Sequence, residues 1–302
     1  MKHSNFSPRL VEFAIRRAEV PDSEYRDLRS FMLDVLNDPA SLWDHAFKSQ
    51  LSTDAQTILL GMLFLPAATP LDDLVAAVQS LSLNRNGRYL SGIEFMTQLK
   101  NLEGSFVAID ALRSGERSAK YFTPAVTDYL LGVLQESNGA EIQAIVESAV
   151  FFEQLLGIWG AAEIRDKNQG TTSPVKYPQL AVWFQRHATI LVEAFERTWR
   201  LPSCVWKQQF LGGEPRFART PVSLEARLQK VIEIGSSISE ALAWAELRVE
   251  ELALAWRSRV GDRAAAAALV GLGALVRLAV VVRPSCPLKL QLLPQLDHPV
   301  GR

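Results

Sequence analysis

The sequence predicts a mainly α-helical fold carrying one small β-hairpin, and three observations predict it. Apolar residues recur at i, i+3 and i+4 over most of the chain; the period shortens to two only within 105–122; and clusters of Pro, Gly and Asn separate the periodic stretches. Composition agrees, since 302 residues of which 48% are hydrophobic and 22% charged have the balance of an ordinary folded protein, long enough for one large core or two smaller ones.

Residues 8–18 and 22–36 read as amphipathic helices, with Leu10, Phe13 and Ile15 on one face of the first and Leu28, Phe31, Met32 and Val35 on one face of the second. Asn37-Asp38-Pro39 ends the second, and a short helix over 41–47 sets Trp43 and Phe47 on one side. From Ser52 a three-helix unit follows: helix 53–65, a Pro-containing break, helix 71–81, the polar turn Asn84-Arg85-Asn86-Gly87, then helix 89–102. After Gly104, residues 105–110 alternate as a strand, 113–116 turn and 118–122 return as a second strand. Pro124 starts a helix at its first position, where a missing N–H costs nothing, with Thr123 as its N-cap. Helix, helix, helix, hairpin, helix is the order of a winged-helix domain, expected at 51–137 behind a helical segment at 1–50.

Beyond Ser137-Asn138-Gly139 the chain reads as helices 140–164, 177–201 and 222–260, joined by polar loops at 165–176 and 202–221. None would be stable alone in water, so residues 138–260 are expected to form an α-helical bundle or solenoid segment. Residues 261–302 are an atypical apolar tail, with no acidic residue between Asp262 and Asp297. Within it, 264–282 is apolar apart from Arg277 and reaches the ~20 residues of a spanning helix. Arg277 and the missing aromatic belt count against a membrane span.

A formal net charge of −1 supplies no global field toward nucleic acid or anionic lipid. The two cysteines, Cys204 and Cys286, lie far apart without metal-ligand spacing, and no apolar stretch follows the polar N-terminus. A cytoplasmic protein with reduced thiols is the expectation.

Recognisable catalytic patterns are missing. Cradling a nucleotide phosphate takes GxxxxGK[ST], whose backbone N–H groups and lysine meet the anion, and the dipeptide Gly-Lys does not occur. Phe106-Val107-Ala108-Ile109-Asp110 imitates an acidic residue ending an apolar strand, yet with no phosphate loop before it and a turn directly after, it reads as the first hairpin strand. The four histidines show no HExxH or paired-ligand spacing, and no GxSxG occurs. The expectation is a chain that is not an enzyme and binds no cofactor or metal of its own.

A winged helix can bind DNA by placing its third helix in the major groove and its wing on phosphates. The candidate phosphate contacts are Arg113, Arg117 and Lys120 in the wing. Over 88–103, however, Arg88 and Lys100 are balanced by Glu94 and Glu103, and a neutral third helix is a poor polyanion ligand. Duplex DNA is therefore the alternative partner, and packing against protein the preferred one.

Three strings carry a family resemblance: Asn5-Phe6-Ser7-Pro8-Arg9-Leu10-Val11-Glu12; Leu36-Asn37-Asp38-Pro39 followed by Leu42-Trp43 and Phe47; and Phe122-Thr123-Pro124-Ala125-Val126-Thr127-Asp128-Tyr129-Leu130. Together they make residues 1–136 resemble the lid end and winged helix of bacterial STAND NTPases, in particular the novel STAND type 3 group. The third string more often reads Asn-Pro-Ser, so Thr123 and Ala125 are departures. The resemblance covers under half the chain. It implies a signalling switch in which an NTPase core holds ATP or ADP with Mg²⁺, a C-terminal helical sensor meets a trigger protein, and the winged helix relays the change to an effector, many relatives acting in anti-phage defence. Pro8 and Arg9 would lie near the nucleotide only in an intact relative. The chain is accordingly expected to be the non-catalytic relay and sensor portion of such a protein, with partners among NTPase, effector or trigger proteins.

Overall fold

A computed structural model describes residues 15, 30, 33, 40–66, 69–111, 116–137, 139–162, 176–211, 214–234 and 238–260. These residues are mainly helical, with two small antiparallel sheets. The readings at 8–18 and 22–36 and the tail at 261–302 lie outside the described residues, apart from single helical positions at 15, 30 and 33.

The described chain opens with α1, Ala40–His45, which runs into a π-helical turn, Ala46–Gln50. Trp43 and Phe47 are both buried, as their shared side predicts. Trp43 packs on Phe106 at 4.8 Å between ring centroids, and Phe47 meets the edge of Tyr129 at 5.8 Å.

Next comes α2, Thr53–Met62, capped by Ser52, whose Oγ accepts from the Ala55 N–H at 3.2 Å. Strand β1, Thr69–Pro70, leads into α3, Leu71–Asn86. That helix continues through the segment read as a polar turn and stops only at Gly87, whose φ of 66° is the left-handed conformation that closes helices. The polar residues before it have partners: Arg85 forks onto Glu141 and Asn86 donates to the Thr57 hydroxyl. Helix α4, Gly92–Leu102, starts at the capping box of Ser91 and Glu94 rather than at Tyr89. Strands β2, Val107–Ala111, and β3, Arg117–Tyr121, form the expected hairpin, and β1 adds to β3, giving the sheet order β1-β3-β2 with Thr69 opposite Ala119 and Val107 opposite Tyr121. Helix α5, Pro124–Glu136, begins as predicted with Pro124 at its first position. Thr123 occupies the N-cap with extended backbone, but its hydroxyl makes no cap hydrogen bond.

Each long helix expected after 139 is divided. The stretch 140–164 is α6, Ala140–Ser148, and α7, Phe152–Ala162; the Gln154 side chain accepts from both Val150 N and Phe151 N at 3.0 Å, capping α7 with no Pro or Gly to announce the break. The stretch 177–201 is α8, Pro178–Arg186, and α9, Ala188–Thr198, separated at His187, whose ring stacks on Trp183 at 4.7 Å. The stretch 222–260 is α10, Leu224–Ile234, and α11, Ser239–Val260. The largest correction falls on 202–221, read as a loop, which contains the hairpin β4, Trp206–Leu211, and β5, Glu214–Arg219. Its register pairs Leu211 with Glu214 across a two-residue connection. Gly212-Gly213 is the sequence signal for such a tight hairpin.

One continuous apolar core runs from Trp43 to Val249. In its second half Phe152, Phe195 and Trp244 cluster, the Phe195 ring tilted against both at 5.1 Å from Phe152 and 5.3 Å from Trp244, with Trp199 edge-on to Trp244. These rings join α7, α9 and α11, and aromatic burial of this kind is the main stabilising term in such a layer.

Candidate interaction surface

The surface is built on α4. Phe95, Leu99 and Leu102 face the core and are fully buried, which turns Ile93, Met96, Thr97 and Lys100 outward along one stripe. Ile93 is 83% exposed, Met96 38%, and Tyr89, just ahead of the helix, 62%. Scattered exposed apolar residues need no explanation, whereas two on one face of α4 with a third just ahead of it form a patch that water disfavours.

The helix beneath them is firmly held. Ser91 Oγ accepts from Glu94 N at 3.3 Å, and Glu94 Oε2 accepts from Ser91 N at 2.9 Å. Arg88 donates to Glu94 Oε1 at 3.1 Å and also bonds Asp54 of α2. Hydrogen bonding to Ser91, joined by Arg88, holds the Glu94 carboxyl down at about 2. The charges beside the stripe thus serve the helix's own start. Lys100 forms no ion pair among the described residues.

Of the wing cations, Lys120 lies 2.6 Å from Asp110 across the hairpin, Arg117 is exposed at the start of β3, and Arg113 lies outside the described residues. Pro8 and Arg9 lie outside them as well. The hairpin therefore brings Arg117 and Lys120 onto one strand but pairs one of them with a carboxylate. The exposed stripe on α4 was missed in the sequence. Its signal was that α4 carries more apolar residues than one buried face can take.

Beside the hairpin, where α2, β1, β3 and α5 converge, a half-open groove of about 390 Å³ is lined chiefly by Met62, Leu63, Leu65, Pro66, Leu74 and Tyr121. Thr123 and Thr127 stand on its α5 side. The Tyr121 hydroxyl donates to Leu59 O at 2.6 Å, and burial pushes its pKa well up, so it stays neutral. Among the described residues no cluster of His, Cys, Asp and Glu is placed to hold a metal, and no helix is long and apolar enough to cross a membrane.

Polar side chains tie the two halves of the described chain together. Asp73, in the first turn of α3, accepts from Trp206 Nε1 at 2.7 Å and pairs with Arg219, so both base positions of the β4–β5 hairpin close on one carboxylate. Arg219 also lies over the rings of Phe151 and Trp206. Behind it, buried Arg227 of α10 donates to Glu153 of α7 and to the carbonyls of Trp199 and Leu201. Cys204 is buried beside Glu153, and burial first, then the Glu153 and Asp73 carboxylates, push its thiol far up. Burial and the raised pKa keep this thiol in its protonated form.

No protein-family model, curated protein or solved structure matches the chain.

Proposed function

We propose that this chain is a non-catalytic relay and sensor module of the STAND NTPase kind, working by contact between proteins, in which α2 to α5 act as a winged helix and α6 to α11 as the sensor. The observation that carries this reading is the outer stripe of α4: where a DNA reader needs several cations, this helix exposes Ile93 and Met96, with Tyr89 just ahead of it, and carries Lys100 as its one cation. The order helix, β1, helix, helix, β2, β3, with the sheet arranged β1-β3-β2, supports the winged-helix reading. The Asp73–Arg219 and Glu153–Arg227 pairs suit a relay, because they fix the β4–β5 hairpin to α3 and α10 to α7. ATP or ADP with Mg²⁺ belongs, on this reading, to a separate NTPase core, anti-phage defence is the setting the resemblance implies, and the cytoplasm is the compartment.

Two measurements on the purified chain test it together. Incubation with ATP and Mg²⁺ is expected to release no phosphate above buffer, and titration with duplex DNA at low salt is expected to be flat. Turnover that tracks the protein would overturn the non-catalytic reading. Duplex binding that weakens with salt and is lost on Arg117→Ala and Lys120→Ala would replace it with a DNA-binding regulator.

A further inference from the structure

We infer that the outer stripe of α4 docks on the same stripe of a second copy of this chain, the two helices running antiparallel about a twofold axis near Met96 and Thr97. The inference rests on the protein-contact reading above and names the partner.

Three properties of the stripe specify a copy of itself. A twofold interface needs one patch that is complementary to itself, and on an antiparallel helix pair position n meets the position reflected through the axis. With the axis between Met96 and Thr97, Ile93 of each copy faces Lys100 of the other. The aliphatic stem of Lys100 then covers the most exposed apolar side chain of the helix while its ammonium reaches the rim. That rim is the amino end of the other α4, where Glu94 stands. Glu94 Oε1 and Oε2 each accept one hydrogen bond within the chain, and a carboxylate has about four acceptor positions, so capacity remains for an incoming ammonium.

Charge singles out the antiparallel arrangement. Lys100, the outward cation in the last turn of α4, has no ion-pair partner among the described residues, and Glu94 lies in the first turn. A parallel pair would set Lys100 against Lys100 and Glu94 against Glu94; the antiparallel pair crosses them and also aligns the helix dipoles favourably. The whole chain carries a formal charge of −1, so no strong net repulsion opposes the approach of two copies. A stripe of two to three turns is smaller than the roughly 800 Å² per partner of a standard interface, so the association expected is a weak, transient one.

Sedimentation velocity of the full chain across the micromolar range tests this. The wild type is expected to shift from monomer toward dimer as concentration rises. Ile93→Lys, a substitution on a highly exposed side chain that leaves the fold intact, sets lysine against Lys100 of the other copy and is expected to weaken association at least tenfold. Adding Lys100→Glu to that variant is expected to recover part of the association, because the introduced lysine then faces the introduced glutamate across the axis while Glu94 loses its cation; in a parallel pair the same double variant would stay dissociated. Circular dichroism melts of each variant confirm folding. A wild type that stays monomeric throughout, an Ile93→Lys chain that associates unchanged, or a double variant that fails to recover would each overturn the proposal. A monomer that binds no duplex DNA removes the dimer but leaves the protein-contact reading, whereas duplex binding removes that reading itself.

Discussion

Arg227 and Glu153 form an ion pair inside the second half of the molecule, with Nε 2.9 Å from Oε1 and the arginine side chain 2% exposed. The guanidinium also donates to the carbonyls of Trp199 and Leu201 and lies over the Phe152 ring, so one buried cation ties α7, α10 and the end of α9 together. Removing one partner of such a pair strands the other charge away from water, at a cost of about 3–5 kcal/mol. Glu153→Ala is therefore expected to lower the urea midpoint sharply. The double variant Glu153→Leu with Arg227→Met is expected to recover much of the loss, since an apolar pair needs no charge compensation.

Asp73 is the anchor of the β4–β5 hairpin, accepting from both Trp206 and Arg219. In Asp73→Ala those two groups lose their shared acceptor. Hydrogen exchange is expected to speed up across β4 and β5, while α4 and α5, which make no bond to Asp73, keep wild-type protection. Equal loss of protection everywhere would mean that Asp73 supports the whole fold instead.

Gly139, between α5 and α6, has a φ of 86°, and a Cβ placed on it would sit 2.4 Å from Cδ1 of Trp183 in α8. Backbone conformation and space both demand glycine there. Gly139→Ala is expected to cost about 1–3 kcal/mol by overpacking alone, with the left-handed backbone adding to it. Gly160, where nothing lies within 4 Å of an added Cβ, is the matched position at which alanine is expected to be tolerated. Thermal melts of the two variants make the comparison.

Glu94 gives the chain a pH dependence at its acid end. Its carboxyl titrates at about 2 in the folded chain, below the ordinary 4.5, so the capping box's contribution is complete above about 4.5 and is lost as pH falls through about 2. Ser91→Ala removes the principal cause. It is expected to destabilise α4 by about 1 kcal/mol near neutral pH and to move the Glu94 titration back toward the ordinary carboxylate range. Carbon-detected NMR titration of the Glu94 carboxyl reads the second effect, and a pKa unchanged by Ser91→Ala would contradict the assignment.

Cys204 is expected to react with iodoacetamide no faster than the chain opens, because its thiol is buried and held protonated. Peptide mapping after pulse labelling measures this. Faster labelling of Cys204 in Asp73→Ala than in wild type would show that the hairpin base shields it.

Periodicity and punctuation carried the first half of the fold. Phe95, Leu99 and Leu102 have helical spacing, β2 and β3 alternate, and Pro124 marks the start of α5, all local signals set by backbone geometry. The second half was legible only as helix. At its breaks near Val150 and His187, Gln154 reaches back to two N–H groups and His187 stacks on Trp183, contacts that have no one-residue signature. The β4–β5 hairpin did have one, Gly212-Gly213, but its strands mix polar and apolar residues and read as loop.

The sequence by itself determined the helical class, the position of the first hairpin, the burial of Trp43 and Phe47, and that the string GxxxxGK[ST] does not occur, since each rests on neighbouring residues or short-range periodicity. Tertiary structure decided which apolar residues of α4 remain outside, and that Asp73 meets Arg219 and Glu153 meets Arg227. Those pairings span 146 and 74 residues. Burial on one side of a helix depends on what packs there, so the apolar excess of α4 does not by itself say which residues stay outside, and a charge finds its partner only when the fold closes distant segments.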